Sequence, residues 1–136
     1  MINTMIMRDV TDEEFDRLIQ RALDELPTEY VKNLDNVAIT YADDPTLEQL
    51  VRNHVGHHQL LLGLYEGTPQ TSRYASSYSG VLPDRITIFK NPIRYVTHDD
   101  ASFFEQIKRT VWHEIAHHYG LGHDRIHVIE RNHGGG

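Results

Sequence analysis

The chain has 136 residues, 39% hydrophobic and 24% charged, proportions that exclude a disordered tail or a membrane-embedded chain and allow one domain, 1–136, around one core. Thirteen Lys and Arg stand against 20 Asp and Glu, a net charge of −7, and this field repels phosphate backbones, so no nucleic-acid partner is expected. With no cysteine, disulfide scaffolds, thiolate zinc sites and cysteine nucleophiles are excluded, and any metal must be held by His, Asp or Glu.

The segment from Met1 to Met7 is apolar but lacks a basic leader and a long apolar run. Neither a signal peptide nor a membrane span is read there, and the cytoplasm is the expected location. Thr11 and Glu14 have capping-box spacing. Phe15, Leu18, Ile19, Ala22, Leu23 and Leu26 then trace one face of an amphipathic helix that Pro27 ends. Val37, Ile39 and Tyr41 alternate with Ala38 and Thr40 as a half-buried strand, stopped at Asp43-Asp44-Pro45. Asp44 as cap and Pro45 in the first turn suit a short helix to about Asn53. The apolar run Leu60–Tyr65 predicts a strand covered on both faces and placed centrally. Residues 67–80 are small and polar, a long loop suited to walling a cleft. Arg85–Phe89 alternates as a strand, and Pro92 beyond it predicts an exposed edge or a strand end. Ser102 and Glu105 repeat the capping-box spacing, opening a helix to about Tyr119 that Gly120 stops. A last helical turn at 124–130 and a flexible tail at 134–136 complete the chain.

The chemistry concentrates in His113-Glu114-Ile115-Ala116-His117, an H-E-x-x-H motif that extends through Gly120 to His123 as H-E-x-x-H-x-x-G-x-x-H. At this composition the short form arises in roughly 5% of shuffled sequences and the long form in roughly 0.02%. Positions four apart on a helix lie about 40° apart and one turn along, so the imidazoles of His113 and His117 reach one ion. Glu114 lies about 100° from His113 and about 60° from His117, placed to reach a water on the metal as general base rather than to ligate it. Gly120 lets the chain turn back so that His123 supplies a third nitrogen, leaving the fourth position to water. Asp124 is an alternative ligand or a carboxylate that orients a ligand imidazole, and Glu130 a further alternative. Phe103, Phe104, Ile107, Val111 and Ile115 occupy the opposite side of the helix, which turns the two ligands away from the core. His118 falls within that apolar arc and reads as a packed, hydrogen-bonded histidine, and Trp112 as packing. His54, His57 and His58 are interrupted by Gly56 and read as a solvated turn; His98, His127 and His133 read as surface residues.

The extended motif resembles the zinc signature of the metzincin clan of metallopeptidases. The only methionines are Met1, Met5 and Met7, so the methionine turn that follows the motif in that clan has no counterpart. Leu61-Leu62-Gly63-Leu64-Tyr65-Glu66-Gly67, then residues 78–87 (Tyr-Ser-Gly-Val-Leu-Pro-Asp-Arg-Ile-Thr), then residues 113–120, are similar to the small bacterial zincin-like metallopeptidase family once labelled a domain of unknown function. That resemblance implies an α+β, zincin-like fold, with a short mixed sheet packed on the active-site helix. The third ligand in that family is commonly Asp, where this chain has His123 followed by Asp124.

The expected function is zinc-dependent hydrolysis of peptide bonds, with Zn2+ as cofactor, peptides or unstructured protein segments as substrate and no membrane partner. Tyr78 is a candidate for helping to stabilise the oxyanion, and Arg85–Phe89 for pairing with an extended substrate by strand addition. Two alternatives stay open. The three-histidine spacing also resembles a bacterial endoribonuclease family of ribosomal RNA maturation, which has Gly in place of Glu114, and a zinc-binding module without catalysis would keep the same ligands.

Overall fold

The computed structural model describes residues 9–67 and 83–120. Helix α1 (Asp12–Asp24) starts where Thr11 accepts a hydrogen bond from the Glu14 N–H at 3.1 Å, and its first turn carries Asp12, Glu13 and Glu14 at the positive end of the helix dipole. It buries Phe15, Ile19 and Ala22. Pro27 does not itself end this helix; it caps a further short one, α2 (Thr28–Lys32), that the sequence pattern does not reveal. Strand β1 (Val37–Ala42) follows. Helix α3 (Leu47–Arg52) is capped by Thr46 and not by Asp44, because the Thr46 hydroxyl accepts from Gln49 while the Gln49 side chain returns the bond to the Thr46 N–H. Pro45 thus precedes the cap instead of sitting in the first turn.

Strands β2 (Gly63–Glu66) and β3 (Asp84–Phe89) complete a mixed sheet ordered β1-β3-β2. β1 runs parallel to β3, Val37 opposite Asp84, and β2 runs antiparallel, Gly63 opposite Ile88. This reverses two expectations. The run expected to form the central strand is the short β2 at the side of the sheet, and its first residue, Leu60, is 48% exposed. Of the two readings of Pro92 beyond Arg85–Phe89, the strand end holds, since β3 stops at Phe89, and the exposed edge does not, since β3 is the middle strand. Thr87 hides its placement, being polar in sequence yet buried between Ile86 and Ile88. Pro92 does not disturb the ladder because it lies in the first turn of helix α4 (Lys90–Val96), where no intrahelical N–H bond is required. Strand addition to Arg85–Phe89 is accordingly closed off, since β1 and β2 occupy both of its sides.

Helix α5 (Asp100–His118) packs on α1 and lies over β2 and β3. Its cap is Asp99, which accepts from the Ser102 N–H at 2.7 Å while the Ser102 hydroxyl answers the Asp99 N–H. Ser102 is therefore the third residue of the first turn and not the cap. The core between helices and sheet joins Phe15, Ile86, Ile88, Phe103, Ile107 and Val111, with Phe15 set edge-on to Tyr41. Among the described residues no helix is long and apolar enough to cross a membrane.

One buried cation ties the frame together. Lys90 Nζ donates to the Val10 carbonyl at 2.8 Å and meets Asp12 and Asp43, each at 3.2 Å. Burial works against its ammonium, but hydrogen bonds to Asp12 and Asp43 and their charges outweigh it, and the pKa lies above the ordinary 10.5. Lys90→Met keeps the alkyl stem and loses the tether between the start of α1 and the end of β1. Urea unfolding should show a loss of about 1–3 kcal/mol, chiefly from the unpaired Val10 carbonyl, because both carboxylates remain solvated.

Candidate active site

The last two turns of α5 bring the motif together. Phe103, Phe104, Ile107, Val111 and Ile115 are buried, whereas the His117 side chain is 44% exposed and His113 is half-buried, the orientation that the apolar periodicity predicts. The rings of His113 and His117 lie 6.1 Å apart, nearly perpendicular. Two imidazoles one helical turn apart, beside a carboxylate, are a donor set suited to zinc. Among the described residues no group of three or more His, Cys, Asp or Glu side chains comes together as a metal site; His123, Asp124 and Glu130 lie outside the described residues, as do Tyr78, His127, His133 and most of the 67–80 segment. The helix leaves its axis as expected at Gly120, whose φ is +72°.

Glu114 is 9% exposed. Its Oε1 lies 3.3 Å from His117 Nδ1, and its carboxylate accepts from the backbone N–H of Tyr65 on β2. Burial pushes its pKa up from the ordinary 4.5, against the opposing pull of the His117 charge, the His117 hydrogen bond and the Tyr65 N–H. A carboxyl group with a raised pKa in the folded chain contributes most to stability below pH 4.5, and that contribution is lost as pH rises through the raised value. Metal-free Glu114→Gln is therefore expected to gain stability on the wild type as pH climbs from 4.5, the gain levelling off above the raised pKa. Thermal unfolding of the two proteins across pH checks the sign; a difference that does not vary with pH would show that burial does not burden the carboxylate.

What lets Glu114 approach the sheet is Gly63. A Cβ there would stand 2.6 Å from Thr110 Cγ2 and 3.3 Å from Glu114 Cγ, so α5 rests directly on the backbone of β2. His118 is partly buried, with its Nδ1 paired to the Tyr65 hydroxyl and 3.4 Å from Asp84 Oδ2, which agrees with a packed, hydrogen-bonded histidine. Trp112 is 3% exposed and stacks edge-on with Tyr30, as packing. His54, His57 and His58 are exposed beyond the end of α3, and His98 is a surface residue 3.6 Å from Asp99. Sequence reasoning missed Gly63, Tyr65 and Asp84 as parts of the site; the available signal was that His118 falls four residues after Glu114 and so shares its face.

A short mixed sheet crossed by a helix that ends in His-Glu-x-x-His defines a zincin-like α+β protein. The zincin-like metallopeptidase family model matches residues 34–133, and the chain belongs to that family. Its fold is similar to that of a conserved hypothetical protein from Thermus thermophilus, with a TM-score of 0.54 and 22% identity, over 81% of this chain and 94% of that one. No curated protein matches the sequence.

Proposed function

We propose that the protein is a zinc-dependent peptidase in which His113, His117 and His123 hold the metal and Glu114 is the general base, with Asp124 or Glu130 as alternative third ligands. The observation that supports this best is the state of Glu114, a carboxylate drawn out of water yet in contact with the imidazole of His117 and anchored by a backbone N–H. Zinc held by these residues would supply Lewis acidity for the scissile carbonyl and an acidified water. Glu114 takes the proton from the attacking water and delivers it to the departing amine nitrogen. In the metal-free chain burial holds its pKa above the ordinary 4.5. Peptides and unstructured protein segments are the substrate class.

The test is metal analysis combined with cleavage of an unstructured protein such as casein. One zinc per chain is expected, with hydrolysis that a chelator abolishes and added zinc restores. A protein that carries stoichiometric zinc and cleaves no member of a diverse peptide library is not a peptidase, and cleavage of RNA lost in His117→Ala would point to a nuclease.

A further inference from the structure

A second polar cluster occupies the same face of α5 as Glu114, one turn further on. His118 Nδ1 lies 3.4 Å from Asp84 Oδ2 and 3.4 Å from the Tyr65 hydroxyl, and the Tyr65 and His118 rings meet edge to face at 5.7 Å. The Tyr65 hydroxyl donates to Asp84 Oδ2 at 2.5 Å. Asp84 is 4% exposed, and its backbone N–H is bonded to the Asn36 carbonyl at 2.9 Å, which fixes it to the sheet. A carboxylate this deep persists only when its oxygens are hydrogen-bonded. Among the described residues the groups that meet it include a phenol from β2, which donates to it, and an imidazole from the helix that carries the zinc motif, 3.4 Å away. Gly67 leaves the room they need, since a Cβ there would stand 2.6 Å from the Tyr65 hydroxyl and 3.3 Å from Asp84 Oδ1.

Tyr65 therefore has two attachments. Its hydroxyl is held by Asp84, and its backbone N–H holds the carboxylate of Glu114. The last turn of α5 has a matching anchor, since His118 follows His117 directly, its Nδ1 pairs with the Tyr65 hydroxyl and it lies 3.4 Å from the same Asp84 oxygen. We propose that Asp84, Tyr65 and His118 form a clamp that positions Glu114, locking β2 to the end of the active-site helix so that the Tyr65 N–H stays aimed at the carboxylate. The clamp rests on the reading of Glu114 as general base for its consequence in turnover, but its geometry can be tested without any metal. Asp84 and His118 do not touch the reacting atoms; they are positioning residues, and they act through Tyr65.

The experiment uses the 15N-labelled full chain, metal-free and zinc-loaded, as wild type, Tyr65→Phe and Asp84→Asn. In the wild type the His118 proton is expected on Nδ1, facing Asp84, with a shift towards the Nε2–H form in Asp84→Asn. The backbone amide at position 65 should exchange about tenfold faster or more in both variants, while the amides of Ile86 and Ile88 keep their protection. With zinc still stoichiometric, kcat on casein should fall about tenfold and KM stay within about twofold, the scale of losses when a partner that orients a site is removed. Unchanged exchange at position 65 in both folded variants would overturn the clamp. Should Asp84→Asn fail to fold, Tyr65→Phe, which removes one oxygen atom, decides alone. A zinc-loaded wild type without Glu114-dependent turnover would refute the base assignment instead, and the amide exchange would still judge the clamp.

Discussion

Zinc-loaded Glu114→Gln is expected to keep its metal and lose turnover on casein by about 10²–10⁴-fold, the usual contribution of a positioned general base. The amide fills the same space against Gly63 and retains an oxygen to accept from the Tyr65 N–H, so the local packing survives. What it lacks is the ability to take a proton from water. His117→Ala gives the complementary result, because it removes one of the two nitrogens preassembled on the helix and with it the zinc. The pair separates base from ligand: the first variant binds metal without reacting, the second does not bind it. Metal affinity measured by competition with a chromophoric chelator, beside kcat and KM, checks both halves. If Glu114→Gln cleaves as fast as the wild type with full zinc occupancy, another group carries the proton and the assignment of Glu114 is wrong.

The part of the site that is legible in the sequence is the part built within one helix. His113, Glu114 and His117 need only the helical repeat to be related in space, and the apolar residues from Phe103 to Ile115 fix which way they face. Helical and strand periodicities separate cleanly in α1, β1 and α5, so those elements are legible one by one, whereas the fold class is what the resemblance of residues 61–67, 78–87 and 113–120 to the zincin-like family implies. Where the sequence misleads, a local signal has two physical causes. An uninterrupted apolar run fixes neither burial on both faces nor the number of hydrogen-bonded neighbours, so Leu60–Tyr65, with Leu60 exposed, passes for a central strand while β3, with Thr87 and Arg85 in it, does not. At the start of α5 the spacing Ser102–Glu105 imitates the true cap, Asp99–Ser102, because Ser is competent both as a cap and as the residue that answers one. Tyr65, Asp84 and His118 are separated by 19 residues and then by a strand, a helix and most of another. No periodicity relates them; only the pairing of Tyr65 with Ile86 across β2 and β3, and the descent of α5 onto both strands, brings them into one cluster.

The same long-range contact makes Gly63→Ala the other substitution with a large expected effect. One methyl group placed 2.6 Å from Thr110 Cγ2 and 3.3 Å from Glu114 Cγ must push α5 away from β2, because Thr110 is itself buried and its hydroxyl is held by the Gln106 side chain at 3.1 Å. Overpacking of this kind costs about 1–3 kcal/mol of stability. The loss in activity should be larger, about 10²-fold, since a shift on the order of 1 Å in the general base disrupts the alignment of proton transfer. Thr110→Ser removes the colliding methyl and keeps the oxygen that Gln106 bonds, so Gly63→Ala/Thr110→Ser should recover most of both losses. Measured as a double-mutant cycle, the pair should couple favourably by about 1 kcal/mol in urea unfolding, with kcat recovering in parallel. A double variant as slow as Gly63→Ala alone, but restored in stability, would mean that the new methyl displaces Glu114 directly through its Cγ and that Thr110 carries only the strain.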